Sequence, residues 1–156
     1  MILYHGSYID FETIDLKLCH PYKDFGRGFY LTDIPEQAEK MAIKKARLYN
    51  GTPVILQYEF DEVVLNNNTL NVKVFPAPNR EWAEFIYKNR SRTEHFHHNY
   101  DIVTGPIAND GVAYLLDRYE EGSLSLDELA KELEFRELNN QYYFGTERAL
   151  NFLKRL

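Results

Sequence analysis

The chain has 156 residues, a length that predicts one folded domain whose hydrophobic core needs no disulfide or metal to hold it together. Hydrophobic residues make up 44% of the chain and aromatic residues 15%, a composition that argues against intrinsic disorder. With 24 acidic and 18 basic residues the formal net charge is −6, which argues against a broad basic nucleic-acid-binding face and leaves room for a local basic patch.

Cysteine content and the first residues limit the class of protein further. Cys19 is the single cysteine, so an internal disulfide and zinc sites built from cysteine pairs are excluded. Residues 1–7 contain no basic region followed by a long apolar run, and no apolar stretch approaches the ~20 residues that span a bilayer. The sequence therefore predicts a cytoplasmic protein without membrane contact, with a single domain over residues 1–156.

Strands and helices are predicted to alternate irregularly along the chain. The first half of the chain is predicted to contain a strand at 2–5 that ends in a Gly-Ser turn, a loop over 8–27, a strand at 28–32, and a helix from Pro35 to Tyr49 capped by Thr32 or Asp33. Strands at 54–60 and 69–75, a helix at 80–89, a strand at 101–105 and a helix at 109–119 are predicted to follow. The last predicted elements are a helix that starts at a capping box at 125–128, a strand at 141–144, and a final helix capped by Thr146. Because regular β-α-β units are missing, the order favours an α+β fold.

Three predicted helices carry inward-facing or apolar residues at helical spacing. In the helix at 35–49 the inward residues are predicted to be Ala38, Met41, Ala42, and Lys45 or Ala46. Trp82, Phe85 and Ile86 lie at helical spacing, a pattern more typical of core packing than of ligand stacking. The final helix is predicted to carry Ala149, Leu150 and Leu153.

Two short segments contain residues suited to ligand binding. His5 lies at a strand end before a glycine, where a ring nitrogen and a closely approaching backbone can both meet a ligand; a partly buried histidine at a turn explains the same residues. Gly26 and Gly28 precede Tyr30, whose ring could stack on an aromatic ligand. The Gly-x-Gly pair alone is a weak signal, since it lacks the third glycine and the strand–helix order of a dinucleotide fingerprint.

Together these segments resemble the ADP-ribosyltransferase superfamily, in the His-Tyr-Glu branch that includes diphtheria toxin and the poly-ADP-ribose polymerases. Nearly the whole chain is also similar to a small bacterial family placed in that superfamily (DUF3990-like). Five blocks carry this similarity in order: Tyr4–Ser7, Asp24–Thr32, Glu81–Ile86, Asp101–Asp110, and Asn140–Gln141 with Thr146–Leu150. The resemblance implies an ADP-ribosyltransferase-like α+β fold of two small packed β-sheets with flanking helices, with NAD bound between the sheets.

The resemblance also implies a role for each matched residue. His5 would hydrogen-bond a ribose hydroxyl of NAD, the Gly6 backbone would bond the nicotinamide amide, and Tyr30 would stack on the nicotinamide ring. The implied NAD-binding residues are His5, Gly6, Ser7, Gly28, Phe29, Tyr30 and Gln141. Of these, His5, Tyr30 and Gln141 form the implied catalytic set, and no metal is implied.

Gln141 departs from the family pattern, which has a glutamate at the start of this late strand. Cleavage of the glycosidic bond builds positive charge on the ribose, and a carboxylate stabilises that charge more in the transition state than in the ground state. A neutral amide lacks the charge, although its oxygen can still accept a hydrogen bond from a ribose hydroxyl. Glu147 is the nearest acidic candidate to supply the missing charge. It is better explained as an acid in the first turn of the last helix, where it interacts favourably with the helix dipole.

A second departure concerns the helix after Tyr30. Polymerase-type members have a serine and a second tyrosine where this chain has Ala38 and Met41, so this helix supplies neither an amide-bonding hydroxyl nor a second stacking ring. The candidates to replace that ring are Tyr22, Phe25 and Tyr142.

The segment 90–98 contains Glu94, His95, His97 and His98 and allows three interpretations. These side chains could ligate a metal, although adjacent histidines rarely converge on one ion without a further ligand. The segment could be a solvated loop. It could also be a target-recognition loop that holds a phosphate or nucleic acid, because the segment is locally basic together with Lys88 and Arg80.

The predicted activity is therefore NAD-dependent mono-ADP-ribosyl transfer, in which nicotinamide leaves and ADP-ribose passes to a protein or nucleic-acid acceptor. By analogy with relatives, the protein would be the toxin of a toxin–antitoxin pair, with an antitoxin protein as partner, or a phage-defence component. Two alternatives stay open: a catalytically weak module that binds NAD or an ADP-ribose-like ligand, and an NAD glycohydrolase with water as acceptor.

Overall fold

The structure, a computed structural model, describes residues 1–134 and 138–156. Within these ranges no helix combines the length and the apolar character needed to cross a membrane. The described elements, in chain order, are β1 (Ile2–Ser7), β2 (Phe29–Leu31), α1 (Pro35–Tyr49), β3 (Val54–Phe60), β4 (Val72–Val74), α2 (Arg80–Arg90), β5 (Ile102–Pro106), α3 (Asp110–Glu120), α4 (Leu126–Leu133), β6 (Asn140–Phe144), α5 (Glu147–Leu150) and β7 (Leu153–Arg155). Short 3₁₀ helices lie at Leu16–Leu18 and Glu62–Leu65.

The strands form two small sheets, which confirms the predicted α+β class. One sheet has the order β1-β3-β7 and is antiparallel throughout. The other has the order β2-β6-β5-β4, in which only the β4–β5 pair is parallel. A single bridge between Tyr4 and Thr32 connects β1 to the chain just after β2, so the first strands of the two sheets lie side by side.

Both faces of the four-stranded sheet are covered by apolar side chains. Val103 and Tyr143 point to a core shared with α2, α3 and α4, whereas their neighbours Ile102 and Phe144 point to a second core shared with the three-stranded sheet. This alternation follows from the two-residue period of a strand. Because side chains fill the space between the sheets, a ligand held by both sheets must bind at their edges rather than between their faces.

The first strand continues through the predicted Gly-Ser turn. Gly6 pairs with Ile55 on β3, and β1 ends only at Ser7. A side chain at Gly6 would place its Cβ 2.1 Å from the carbonyl oxygen of Ala38 and 2.7 Å from the amide nitrogen of Ala42. Glycine is therefore needed here so that α1 can pack directly against the backbone of β1.

The helix α1 has the predicted length but a different cap and a narrower buried face. Its N-cap is Ile34, which makes no side-chain cap, while the hydroxyl of Thr32 accepts a hydrogen bond from the Ile34 amide. The buried residues are Ala38, Ala42 and Ala46, and Met41 is 46% exposed, so the inward placement of Met41 was wrong. Only small side chains fit on the face that lies against β1, and these recur at every fourth position.

The C-terminal end differs most from the predicted order. Thr146 caps a helix as expected, but that helix is a single turn, and Leu153 lies on β7 instead of on the helix. Leu153 pairs with Phe60 at the free edge of β3. Pairing satisfies the backbone groups of both strands, which explains why the chain leaves the helix.

Two predictions about helices are confirmed. Trp82 and Ile86 on α2 are fully buried, and the indole nitrogen of Trp82 donates to the carbonyl of Pro106 at 3.0 Å. Ser125 and Glu128 form a reciprocal capping box at the start of α4.

Candidate functional site

His5 connects the two glycine-flanked segments. Its Nδ1 lies 2.7 Å from the carbonyl oxygen of Tyr30, and its ring stacks on Phe29 with centroids 4.4 Å apart. Since a carbonyl can only accept, Nδ1 carries the proton and Nε2 is left as an acceptor. That acceptor faces Lys45 on α1, whose Nζ lies 3.3 Å away.

The protonation state of His5 follows from these surroundings. Burial, helped by the Lys45 cation, lowers the pKa of His5 to about 4, so the ring is neutral at physiological pH. Burial also lowers the pKa of Lys45 to about 8, with a smaller contribution from Lys23, and this side chain stays mostly charged at pH 7. Lys45 additionally donates to the carbonyl of Gly6 at 2.8 Å, so the Gly6 oxygen already has a partner.

Tyr30 is fixed by its hydroxyl group. The hydroxyl donates to the carbonyl of Gly26 at 2.7 Å and accepts from the amide of Phe25 at 2.9 Å. The ring meets Tyr143 edge-on, with centroids 5.3 Å apart, and is partly exposed. Burial holds the pKa of Tyr30 well above its usual value, so the hydroxyl remains a neutral donor and anchors the loop over residues 25–26.

Several of the residues with implied NAD contacts have packing roles in the structure. Gly28 has no room for a side chain, because a Cβ there would lie 2.2 Å from the ring of Tyr143. Ser7 is 4% exposed, and its hydroxyl accepts from the amide of Ile9. Phe29 is 4% exposed and supports the ring of His5. Direct contact of Gly28, Ser7 and Phe29 with NAD stays a prediction.

Gln141 lies at the start of β6 and is 9% exposed. Its Nε2 donates to Oδ2 of Asp24 at 3.0 Å and, at 3.4 Å, to the carbonyl of Pro106. The other oxygen of that carboxylate, Oδ1, lies 2.9 Å from Nε of Arg90 on α2. The structure therefore joins residues 24, 90 and 141 in one polar chain.

Neither Asp24 nor Lys45 was assigned a site role from the sequence. Asp24 is 117 positions from Gln141, and no spacing pattern connects them. Lys45 was placed on the inward face of α1, but as a core position. Glu147, the other acidic candidate, is exposed in the first turn of α5, as the helix-dipole interpretation predicts.

The candidates for a second stacking ring have different exposures. Phe25 is completely buried and Tyr142 is 8% exposed, so neither presents a free ring face. Tyr22 is partly exposed, and the guanidinium of Arg92 lies 4.7 Å from its ring centroid.

In the segment 90–98, His98 points inward and supports the loop that carries Asp24. Its Nε2 donates to the carbonyl of Phe25 at 2.6 Å, while Nδ1 accepts from the amide of Tyr100 at 3.1 Å. Burial lowers the pKa of His98 and favours this neutral form. His95 and His97 are exposed, and within residues 1–134 and 138–156 no group of three or more potential metal ligands converges.

Two clefts flank these residues. The first, here called the arginine cleft, has a volume of about 280 Å³, and its polar lining residues are Tyr22, Tyr87, Arg90, Ser91, Arg92, Asp117 and Glu120. Arg90 thus touches this cleft while also pairing with Asp24. The second, the α1 cleft, has a volume of about 340 Å³ and lies between α1 and the residues around the ends of β5 and β6. Met41 lines it together with Lys40 and Lys44, whose ammonium groups suit an anionic ligand.

In comparison with protein families, residues 1–155 match the family described as "Protein of unknown function (DUF3990)". Comparison with curated proteins and with solved structures gave no match.

Proposed function

The chain belongs to the DUF3990 family, and for this member we propose NAD-dependent mono-ADP-ribosyl transfer. The observation that carries the proposal is the hydrogen bond of 2.7 Å from His5 Nδ1 to the carbonyl of Tyr30. The two residues that the resemblance assigns to ribose binding and nicotinamide stacking come from separate segments, yet they are in direct contact. Tyr143 on β6 pairs with Tyr30, which brings the strand of Gln141 beside them.

The proton arrangement suits a ribose. His5 keeps its proton on Nδ1, so Nε2 is free to accept from a ribose hydroxyl if the ammonium of Lys45 gives way. The same lysine holds the Gly6 carbonyl, and the amide nitrogen of nicotinamide is the donor that would take its place. Both contacts of Lys45 are therefore ones that a bound NAD would replace.

In the proposed reaction the bond between C1′ of the ribose and the ring nitrogen of nicotinamide breaks, and the electron pair leaves with nicotinamide. A lone pair of the acceptor forms the new bond to C1′, and the acceptor's proton passes to water. Positive charge moves from the pyridinium ring to the ribose during this step, so groups that accept hydrogen bonds from the ribose accelerate it. We assign this role to Nε2 of His5 and to Oε1 of Gln141.

Calorimetric titration with NAD tests the assignment of His5 and Tyr30. We expect wild-type protein to bind NAD. His5→Ala should weaken NAD binding by about tenfold, because it removes the imidazole ring and with it the hydrogen bond that Nε2 accepts from the ribose. His20→Ala, which removes an exposed histidine, is the matched control and should bind as wild type does.

Tyr30 requires two variants because its hydroxyl also anchors the loop at Phe25 and Gly26. Tyr30→Phe loses the anchor but keeps the ring, so it should lower the melting temperature and retain NAD binding. Tyr30→Ala loses the ring as well and should bind NAD at least tenfold more weakly, since stacking on an aromatic ring is worth ~1–3 kcal/mol. Failure of wild type to bind NAD, or equal binding by all of these variants, would overturn the proposed site.

A further inference from the structure

We infer that Asp24 is a positioning residue for Gln141 and supplies the negative charge that this strand position lacks. The inference rests on the proposed function and extends it to a residue to which the resemblance assigned no role. Asp24 lies on the loop before β2, and its side chain is 12% exposed. Its carboxylate is thus held close to the protein interior, directly against the amide of Gln141.

The carboxylate determines how the Gln141 amide is oriented. A carboxylate only accepts hydrogen bonds, so the amide must direct Nε2 toward Asp24, at 3.0 Å. The carbonyl of Pro106, at 3.4 Å, is a second acceptor on the same side and favours the same orientation. Oε1 is then the free end of the side chain, and it has no hydrogen-bond partner among the described residues. An oxygen in this position can accept a hydrogen bond from a ribose hydroxyl.

The charge of Asp24 also acts through the amide. A hydrogen bond to an ionised acceptor polarises the donor group, and the polarisation increases the electron density on Oε1. As the ribose becomes cationic, both this oxygen and the carboxylate behind it stabilise the developing charge. The amide and the carboxylate together thereby do what one glutamate side chain would do.

Arg90 does not cancel this effect. It binds Oδ1 of Asp24, at 2.9 Å, while Gln141 binds Oδ2, so the ion pair presents its negative end to Gln141 and its positive end to α2. The guanidinium also holds the carboxylate in one orientation. Arg90 therefore stabilises the geometry of the polar chain from the side remote from Gln141.

The first test is Asp24→Asn, which removes the charge but retains an oxygen that can accept from Gln141. We expect nicotinamide release from NAD to fall about 10- to 100-fold in kcat, with KM for NAD changed less than threefold. Asp127→Asn is the matched control, because its carboxylate is 81% exposed on α4 and is remote in sequence from the polar chain. A kcat equal to wild type in Asp24→Asn would overturn the inference.

The second test exchanges the two groups. Gln141→Glu alone places two carboxylates about 3 Å apart, and their repulsion should lower the melting temperature. Combining Gln141→Glu with Asp24→Asn restores one carboxylate and one amide in reversed order. The double variant should recover the wild-type melting temperature, and its kcat should lie within about fivefold of the wild-type kcat. A purely structural role for Asp24 predicts instead that Asp24→Asn lowers the melting temperature and leaves kcat equal to that of wild type.

The outcomes separate the inference from the proposed function. If wild type releases no nicotinamide, the proposed function fails and the inference fails with it. If wild type is active and Asp24→Asn matches it, or if the double variant folds but stays as slow as Asp24→Asn, only the inference fails.

Discussion

The ring of His5 lies between a carbonyl on one side and an ammonium group on the other, and these neighbours fix both its tautomer and its charge. The carbonyl of Tyr30 requires a proton on Nδ1, and Lys45 opposes a second proton on Nε2. A histidine held neutral in this way cannot act as an acid near pH 7. Its contribution to the site is therefore an acceptor at a fixed position.

The Lys45→Met variant tests this electrostatic arrangement. Removing the ammonium should raise the pKa of His5 above about 4, yet leave it below 6.5, because burial is the larger of the two causes that lower it. Titration of the histidine ring protons by NMR measures this pKa directly. Lys44→Met, one position earlier on the same helix and exposed, should leave the His5 titration unchanged. The same pKa in Lys45→Met and wild type would contradict the described contact.

Among the elements, the close contact of β1 with α1 places the site residues. Because Gly6 has no side chain, α1 can lie directly against the backbone of β1, and the three buried alanines of α1 form the helix side of this contact. Lys45 lies on the same helix one turn beyond Ala42, so the packing that stabilises the fold also directs the ammonium to His5. The site and the packing of this helix are thus set by the same contact.

Asp101, which directly precedes β5, connects this strand by hydrogen bonds to the start of β4 and to α5. Its carboxylate, on a residue 3% exposed, accepts from the amide of Asn71 before β4, from the hydroxyl of Thr146, and from the guanidinium of Arg148 on α5. Burial by itself would raise the pKa of Asp101, but the hydrogen bonds from these three groups outweigh it and hold the pKa below its usual value. The ionised carboxylate is therefore favoured in the folded state.

Asp101→Asn should lower the free energy of unfolding by about 2–4 kcal/mol at pH 7, because an amide cannot serve all three donors. Since the folded pKa is depressed, the stabilisation by Asp101 is present above the unfolded pKa, near 3.8, and is lost as the pH falls through the folded pKa. Urea unfolding at pH 7 and at pH 3 should therefore show a difference from wild type that narrows at pH 3. The account would be contradicted if Asp101→Asn and wild type had equal free energies of unfolding at pH 7, or if the difference between them were larger at pH 3 than at pH 7.

For the whole molecule, the net charge of −6 means that an anionic ligand must be bound through local cations. Such cations line both clefts, with Lys40 and Lys44 in the α1 cleft and Arg90 and Arg92 in the arginine cleft. Asp117 and Glu120 on the wall of the arginine cleft reduce its positive character. We therefore expect a small anionic ligand to bind in a cleft of this surface more readily than a long nucleic-acid duplex binds across it.

The sequence predicted those elements whose signal is local. The alternation in Val54–Phe60 places Leu56, Tyr58 and Phe60 on one face, and β3 has the predicted bounds. β7 is three residues long, too short for a period to show, and it forms only because the edge of β3 is available.

The candidate site shows the same limit. His5, Tyr30 and Gln141 were proposed from motifs that are each continuous in sequence. Asp24 and Lys45 reach the site through tertiary contacts, with partners 117 and 40 positions away, respectively. Such contacts depend on how the loop before β2 and the helix α1 pack, and no periodicity in a single sequence encodes that packing.

The central claim is that the protein breaks the nicotinamide–ribose bond of NAD and transfers ADP-ribose, with Gln141 holding the ribose. The most direct measurement follows NAD labelled in its adenosine part, incubated with purified protein and cell lysate, and separates the label into protein, nucleic acid and free ADP-ribose. We predict that wild type transfers label to a macromolecular fraction. The Gln141→Ala variant should still bind NAD but transfer no label. Intact NAD after incubation with a wild-type protein that binds it would contradict the claim and identify a binding module, and label only in free ADP-ribose would identify an NAD glycohydrolase.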